Sequence, residues 1–252
     1  MSSKKMITAN WKMYKTTSAA KAFFGAFLPL IQGRTHPEDQ VVVCPGFPLL
    51  SVCAEAIRGS GVMLGAQDLF WEAEGAWTGE VSGEMLTSVG CTHVLIGHSE
   101  RRQHFHETNH SVNKKLKAAL QAGLHAIVCI GESLKERECD STDWVLKRQY
   151  LEGFEGIEPG QMPRISIAYE PCWAIGTGRT ATPQIAADAH AIIRAEMERS
   201  FGEEIAHNVE ILYGGSVRPD NARALMSEEE IDGALVGGAS LDPQSFAAIV
   251  NW

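Results

Sequence analysis

Residues 125–130 read HAIVCI, residues 133–150 read SLKERECDSTDWVLKRQY and residues 164–169 read RISIAY. The first and last stretches are short and nearly continuous in apolar residues, which is typical of parallel strands covered on both faces. The middle stretch opens with Ser133 and Glu136, a capping-box pair that marks the start of a helix. Together the three stretches predict a strand, a crossover helix and a second, parallel strand.

The same alternation extends in both directions through the 252-residue chain. Eight apolar runs predict strands, at Lys5–Ala9, Gln40–Cys44, Val62–Ala66, His93–Gly97, His125–Ile130, Arg164–Tyr169, Val209–Tyr213 and Gly233–Val236. Helical patterns occur between or after them, at Ala19–Ile31, Pro48–Ile57, Ser111–Ala122, Ser133–Tyr150, Thr182–Arg199, Pro219–Met226 and Pro243–Val250. Eight such units in about 250 residues predict an α/β fold, a closed (β/α)8 barrel with eight parallel strands in a single domain over residues 1–252. An open doubly wound sheet is also compatible with the alternation alone.

The composition argues against several classes of protein. A formal net charge of −9 is unsuited to broad contact with a nucleic-acid backbone, although one lysine and a few N–H groups could still hold a small anion. None of the six cysteines has Cys-x-x-Cys spacing, so no zinc ribbon or redox pair is predicted, and Cys129 is expected to be a buried thiol. We find no signal peptide and no apolar run of about 18 residues, so a cytoplasmic protein without membrane contact is expected.

Polar residues and glycines follow five of the eight predicted strands. They are Asn10 and Lys12 after the first, His98, Ser99 and Glu100 after the fourth, Glu170 after the sixth, Gly214, Gly215 and Ser216 after the seventh, and Gly237, Gly238 and Ser240 after the eighth. In a (β/α)8 barrel the carboxyl ends of the strands meet on one face, where catalytic residues lie. The pattern therefore predicts a general base, an electrophile, a cation and two anion-binding turns on that face.

Each of these residue types suits acid–base chemistry on an anionic substrate. Glu170 is a candidate general base, and His98, at the start of a helical turn, is expected to be neutral and to donate a hydrogen bond. Lys12 could stabilise developing negative charge, and the N–H groups of the glycine turns could hold a phosphate. Taken singly, each residue also has an ordinary structural explanation, such as a helix cap, a solvated lysine or a simple turn.

Six motifs resemble those of the triosephosphate isomerase family, in the family's order. They are Ala9–Met13, Ile96–Arg102, Ala168–Pro171, Trp173–Gly178, Tyr213–Val217 and Gly237–Leu241. The resemblance implies a TIM barrel that requires no cofactor. It also implies an isomerase that interconverts dihydroxyacetone phosphate and D-glyceraldehyde 3-phosphate, in glycolysis and gluconeogenesis.

The resemblance also implies roles for individual residues. Glu170 moves a proton between two carbons through an enediolate, neutral His98 polarises the carbonyl, and Lys12 and Asn10 stabilise the enediolate. The implied phosphate ligands are backbone N–H groups, those of Gly176, Ser216, Gly237 and Gly238. The implied supporting residues are Glu100 and Ser99.

Two further segments resemble parts of the family. Pro171–Ala181 is similar to its mobile lid, and Gln67–Val81 is similar to the loop through which its subunits form a homodimer. The large apolar side chains of the second segment favour burial against a partner subunit, and folding back onto the same barrel is the alternative. Four positions depart from the residues usual in the family and bear on lid kinetics or on the interface; they are Cys172, Arg179, Tyr14 and Trp77.

Two rival chemical interpretations start from short motifs. Gly176–Ala181 fits the G-x-G-x-x-A pattern of nicotinamide-dependent dehydrogenases, but no tight strand-to-helix turn precedes it and no second strand with an acidic end follows. His106 and His110, close to His104 and Glu107, have the i, i+4 spacing of zinc ligands on one helix face. A solvated surface pair is the expected explanation, and no required metal is predicted.

A third alternative is a barrel kept as a binding module without catalysis, which the fold alone would permit. The combination of Lys12, His98 and Glu170 in one chain argues against it.

Overall fold

A computed structural model describes residues 4–175 and 180–252 of the chain. Its centre is a ring of eight parallel strands, β1 (Met6–Asn10), β2 (Gln40–Cys44), β3 (Met63–Ala66), β4 (His93–Ile96), β5 (His125–Ile130), β6 (Ile165–Tyr169), β7 (Ile211–Tyr213) and β8 (Gly233–Val236). Each strand pairs with the next one in sequence, and β8 pairs with β1, which closes the barrel. The predicted (β/α)8 fold is therefore confirmed, and the open sheet is excluded.

The inside of the barrel is filled by side chains. Successive residues of a strand point to opposite sides, so every second residue enters the interior. The interior set is Met6, Val42, Cys44, Leu95, Ile127, Cys129, Ala168, Leu212 and Leu235. The residues between them, such as Ile7 and Val41, pack against the surrounding helices in a second and larger cluster. Because the interior is full, a ligand has to bind at an end of the barrel.

Helices surround the strands. In the described ranges they are α1 (Thr17–Leu30), α2 (Leu50–Ala56), α3 (Gly83–Ser88), α4 (Ser99–His104), α5 (Asn109–Gln121), α6 (Leu134–Glu138), α7 (Thr142–Gly153), α8 (Pro183–Phe201), α9 (Glu203–Asn208), α10 (Ala222–Met226) and α11 (Pro243–Val250). Short 3-10 turns lie at Phe47–Leu49, Pro159–Arg164, Cys172–Ala174 and Gly238–Leu241. None of the described helices is both long enough and apolar enough to cross a bilayer.

Capping residues fix two helix starts where the sequence predicts them. The Thr182 hydroxyl accepts a hydrogen bond from the N–H of Ile185 at 3.2 Å, and Pro183 occupies the first position of α8. Ser133 and Glu136 form the predicted capping box at the start of α6. These side chains satisfy N–H groups that have no partner within the helix.

The predicted helix over Ser133–Tyr150 is wrong in one respect, because it consists of two helices, α6 and α7. Asp140, between them, has a left-handed backbone conformation with φ of 52°. Aspartate is one of the few residues that adopt this conformation at modest cost, because its short side chain can bond locally. Periodicity could not reveal the break, and it also missed α3 and α9, each of only six residues. The helical turn expected after His98 is confirmed as α4.

The segment Gln67–Val81, here called the interface segment, leaves the barrel after β3. Its root is anchored in the chain's own core through Leu69, which is buried. Residues 72–80 are exposed, and Trp77 keeps 49% of its surface accessible while packing its ring against Phe70. The root of the segment therefore packs against its own barrel, whereas the tip does not.

Candidate active site

The carboxyl ends of the strands surround a cavity of about 510 Å³. Seven of the predicted site residues line it, namely Asn10, Lys12, His98, Glu170, Ser216, Gly237 and Gly238. Ser99 and Glu100 do not line the cavity but bond to residues that do. Gly176 lies outside the described residues. The structure thus gathers the predicted groups from five strand ends into one place.

Glu170 follows β6 directly, and its side chain is only 2% exposed. Its Oε1 lies 2.9 Å from Nε2 of His98, and its Oε2 accepts a hydrogen bond from the N–H of Ser99 at 2.8 Å. Gly214 leaves the space that the side chain needs, because a Cβ atom there would lie 2.8 Å from Cγ of Glu170. A larger residue at position 214 would displace the carboxylate.

His98 is the N-cap residue of α4. Its Nδ1 accepts a hydrogen bond from the N–H of Glu100 at 3.2 Å. A nitrogen that accepts a hydrogen bond carries no proton, so the proton of the neutral ring sits on Nε2 and points towards Glu170. The helix start therefore orients the ring as a hydrogen-bond donor into the cavity.

The carboxylate and the imidazole shift each other's pKa. Burial raises the pKa of Glu170, but the contacts with His98 and Ser99 outweigh it, and the pKa lies below its ordinary value. Burial lowers the pKa of His98, but the charge and hydrogen bond of Glu170, together with the charge of Glu100, outweigh it, and this pKa is raised. The backbone N–H of Glu100, which donates to Nδ1, acts in the other direction because it favours the neutral form of the ring. Glu170 is therefore ionised in the empty site, and any charge on the ring depends chiefly on its contact with Glu170.

Lys12 lies just beyond β1 in a left-handed conformation with φ of 51°. Its N–H donates to Oδ1 of Asn10 at 2.9 Å, and its carbonyl oxygen accepts from Nε2 of Gln67 at 2.9 Å. Its ammonium lies 2.6 Å from Oε1 of Glu100. Gly237 lies beside it, because a Cβ atom at Gly237 would be 3.5 Å from Cε of Lys12. The N–H and the carbonyl group of Lys12 are therefore both held by hydrogen bonds. Its ammonium is held by Glu100, which follows β4, and lies near Gly237, which follows β8.

Two turns complete the wall of the cavity. After β7, Asn221 donates from Nδ2 to the carbonyl oxygen of Ser216 at 3.0 Å. After β8, both the N–H and the hydroxyl of Ser240 donate to the carbonyl oxygen of Gly237, at 2.9 and 2.7 Å. Gly237 and Gly238 border the cavity, where backbone N–H groups at a turn suit an anion.

Several residues near the site were not predicted. Gln67 donates to the carbonyl oxygens of both Lys12 and Cys44, at 2.9 and 2.8 Å. It directly follows β3, so the same strand-end rule that found the other residues could have found it. Arg218 and Leu235 also line the cavity. Nothing in the sequence distinguishes Arg218 from an ordinary surface arginine, or Leu235 from the other apolar residues of the strands.

The premise of the zinc interpretation is wrong. His106 precedes α5, which begins at Asn109, so His106 and His110 do not share a helix face. Glu107 instead joins a buried ion cluster, where it binds Arg101 at 2.9 Å and Lys115 at 3.1 Å. Across the described ranges, no group of three or more histidine, cysteine, aspartate or glutamate side chains could hold a metal ion. The absence of a metal requirement stays a prediction.

The dehydrogenase interpretation rests on Gly176–Ala181, and residues 176–179 of that pattern lie outside the described residues. The helix that follows, α8, begins only at Pro183. A dinucleotide fingerprint would instead open its helix directly from the glycine turn.

An ionised buried carboxylate, a histidine donor, a lysine and two glycine-containing turns meet at the carboxyl ends of a closed parallel barrel. Together they define a (β/α)8-barrel enzyme suited to acid–base chemistry on a small anionic substrate.

Comparison with known proteins agrees with this class. The sequence profile of the triosephosphate isomerase family matches residues 5–252. The chain is 54% identical to the triosephosphate isomerase of Solibacter usitatus, over 99% of both chains. It is 53% identical to the enzyme of the same name from Geobacter metallireducens, over 98% of both chains. The crystal structure of triosephosphate isomerase from Bartonella henselae superposes with a TM-score of 0.86 at 37% identity, and 98% of this chain and 97% of that one are covered.

The chain belongs to the triosephosphate isomerase family. It is accordingly an isomerase, and the resemblance predicted from the six motifs is confirmed. The reaction of this family is the interconversion of dihydroxyacetone phosphate and D-glyceraldehyde 3-phosphate, a step of glycolysis.

Proposed function

We propose that the cavity at the carboxyl ends of the strands carries out this interconversion by proton transfer through an enediolate, with Glu170 as the base. The observation that carries the proposal is the buried, ionised carboxylate of Glu170 at 2.9 Å from Nε2 of His98. A base works at hydrogen-bond distance from the proton that it removes, and an electrophile must face the same substrate. The two side chains lie side by side in the wall of a cavity that is large enough for a triose phosphate.

The proposed proton path begins when the substrate separates the pair. Both carboxylate oxygens of Glu170 are bonded in the empty site, so the side chain has to leave His98 and Ser99 before it can reach a carbon-bound proton. Once the contact is broken, the main cause that raises the pKa of His98 is removed, and burial favours the neutral ring. Neutral His98 then donates a hydrogen bond from Nε2 to the carbonyl oxygen while Glu170 removes the proton from C1, which gives the enediolate. His98 helps to move the hydroxyl proton from O1 to O2, and Glu170 returns its proton to C2.

Lys12 and Asn10 are proposed to stabilise the enediolate. The Lys12 ammonium is held in a fixed place by Glu100, and its backbone is held by Asn10 and Gln67. A cation that is already positioned where negative charge develops needs no reorganisation during the reaction. Lys12 can therefore act on the oxyanion while Glu100 and Ser99 keep the surrounding groups in place.

The phosphate is proposed to bind to the backbone N–H groups of Ser216, Gly237 and Gly238. The two turns border the same cavity as Glu170, and Lys12 lies against Gly237. Gly176 is proposed as a further ligand on the strength of the family motif. It belongs to the segment Pro171–Ala181, which we propose to be a lid that excludes water and limits loss of phosphate from the enediolate.

We further propose that the chain forms a homodimer through the interface segment. The exposed tip of this segment, with half of the Trp77 surface accessible, supports burial against a second copy.

A single domain over residues 1–252 in the cytoplasm is also proposed. Cys44, Cys53, Cys91 and Cys129 are buried free thiols, which suits a reducing compartment.

The assignment of the base is tested by turnover of D-glyceraldehyde 3-phosphate in a coupled assay. Glu170→Gln keeps the shape of the side chain and removes its basicity, so turnover is expected to fall by at least about 1000-fold. Glu55→Gln, on the exposed face of α2, is the matched control and should behave as wild type. Turnover by Glu170→Gln at the wild-type rate would remove Glu170 from its role.

A further inference from the structure

Lys15 is a half-buried lysine in the loop between β1 and α1. Its backbone is left-handed, with φ of 72°, which is uncommon for a residue with a side chain. Lys15 is not among the residues that line the cavity, whereas its neighbours Trp11 and Tyr14 are. The conformation therefore directs the side chain to a place behind the cavity wall.

The ammonium of Lys15 has a defined set of partners. It donates a hydrogen bond to the carbonyl oxygen of Leu241 at 2.8 Å. It also lies over two aromatic rings, 5.0 Å from the centroid of Trp11 and 4.7 Å from that of Phe23. Both rings are buried, so the cation is held against a rigid surface on one side and a backbone oxygen on the other.

Leu241 is the last residue of the 3-10 turn Gly238–Leu241. The turn is short and is cross-linked at its start, where Ser240 donates twice to the carbonyl oxygen of Gly237. In such a compact unit, a contact that fixes the last residue also fixes the first ones. Gly238, the first residue of the turn, and Gly237, which caps it, border the cavity.

We infer that Lys15 is a positioning residue, which fixes the Gly238–Leu241 turn so that its N–H groups meet the substrate phosphate. This inference rests on the proposed binding of the phosphate to that turn. Lys15 does not touch the substrate itself. It acts through Leu241, whereas Lys12, three residues earlier, lines the cavity itself.

The test compares substrates with and without the phosphate. Lys15→Met keeps the apolar length over the two rings and removes the donor and the charge. We expect KM for D-glyceraldehyde 3-phosphate and the inhibition constant of inorganic phosphate to rise together by about 10-fold, the scale of one lost charge-assisted hydrogen bond. The rate constant kcat/KM for D-glyceraldehyde, followed by NMR, should change by less than about two-fold because that substrate makes no phosphate contact.

Two further variants separate positioning from loss of structure. Lys15→Gly removes the same ammonium but relieves the left-handed backbone, so it should fold well and still show the raised KM. Lys21→Met removes an exposed lysine of α1 and is the matched control, which should leave both constants unchanged.

The outcomes are distinct. If either Lys15 variant loses activity equally on both substrates, or leaves the inhibition constant of phosphate unchanged, Lys15 has no positioning role. If inorganic phosphate fails to compete with the substrate in the wild-type enzyme, the proposed phosphate site is itself wrong, and the inference falls with it.

Discussion

Glu170 has both carboxylate oxygens engaged before any substrate is present, one with His98 and one with the N–H of Ser99. The side chain is almost completely buried, so its position is set by its neighbours and not by solvent. Gly214 leaves the space that it occupies. The reach of this side chain into the cavity should therefore be critical.

Glu170→Asp tests that reach. The change keeps the charge and withdraws the carboxylate by about one bond length, and a misplacement of about 1 Å can cost on the order of 100-fold in rate. We expect kcat to fall by about 100-fold in the coupled assay, while thermal unfolding shows an intact protein. Glu55→Asp is the control on the surface. An unchanged kcat for Glu170→Asp would speak against a directly acting carboxylate.

Two further histidines, one buried and one half-buried, lie at the other end of the barrel. His93 and His125 are the first residues of β4 and β5, and their ring centroids are 4.9 Å apart. His93 bonds to Thr92 and His125 to Ser166, both at 2.8 Å. Burial lowers the pKa of His93 to about 3 and that of His125 to about 4, from an ordinary value of 6.5. Both rings are neutral in the folded protein.

These lowered pKa values predict loss of stability in acid. Below about pH 6.5 the unfolded chain binds protons at both histidines and the folded chain does not, so the free energy of unfolding falls as the pH falls. The loss continues down to about pH 4 for His125 and about pH 3 for His93, with a slope of up to about 1.4 kcal/mol per pH unit for each histidine. Urea denaturation at several pH values measures the slope.

His125→Asn should make that slope shallower, because the unfolded chain then binds about one proton fewer on acidification. The exposed His104 serves as the matched control, because His104→Asn should leave the slope as it is in wild type. A slope that His125→Asn does not change would mean that this ring is not held neutral in the folded state.

At the scale of secondary structure, the strands were predicted within one or two residues because apolar runs are the direct consequence of burial on both faces. The helices were harder. Val145 and Tyr150 of α7 continue the apolar pattern that starts near Ser133, and no periodicity shows that the backbone turns at Asp140. A helix end that depends on the backbone conformation of one residue is a local feature. Hydrophobic periodicity, which is averaged over many residues, cannot detect it.

Asp140→Gly tests this account of the break between α6 and α7. A left-handed conformation costs most residues with a Cβ roughly 1–2 kcal/mol and an aspartate less, while glycine gives up about 0.5–1 kcal/mol more than other residues when the flexible unfolded chain becomes ordered. We therefore expect a net stabilisation of at most about 1 kcal/mol in urea denaturation. Asp143→Gly, within α7, is the matched control and should destabilise, because glycine is unfavourable inside a helix. Destabilisation by both changes would contradict the account.

At the scale of the whole molecule, the order of the strands around the barrel was predictable, and so was the meeting of distant residues at their carboxyl ends. Asn10, His98 and Glu170 share a cavity because parallel closure brings every strand end to one face. The hydrogen bond from Gln67 to Lys12 was not predictable. Gln67 reaches Lys12 across 55 positions in the sequence, and such a contact depends on side-chain packing that no local pattern encodes.

The proposed homodimer is tested at its most exposed aromatic residue. Trp77→Asp places a charge on the tip of the interface segment, where burial against a partner would then be costly. Sedimentation should show a dimer for the wild type and a monomer at micromolar concentration for this variant. Trp144→Asp changes a similarly exposed tryptophan, 57% accessible on α7, and should stay dimeric. A dimer that survives Trp77→Asp would place the interface elsewhere.

The central claim is that one carboxylate carries the proton between two substrate carbons, and exchange with solvent tests it most directly. Dihydroxyacetone phosphate is incubated with the enzyme in D2O, and deuterium at carbon is followed by NMR. The account predicts that the wild type introduces a single deuterium at one face of C1 and that Glu170→Gln introduces none above background. Exchange by Glu170→Gln at the wild-type rate would contradict the account.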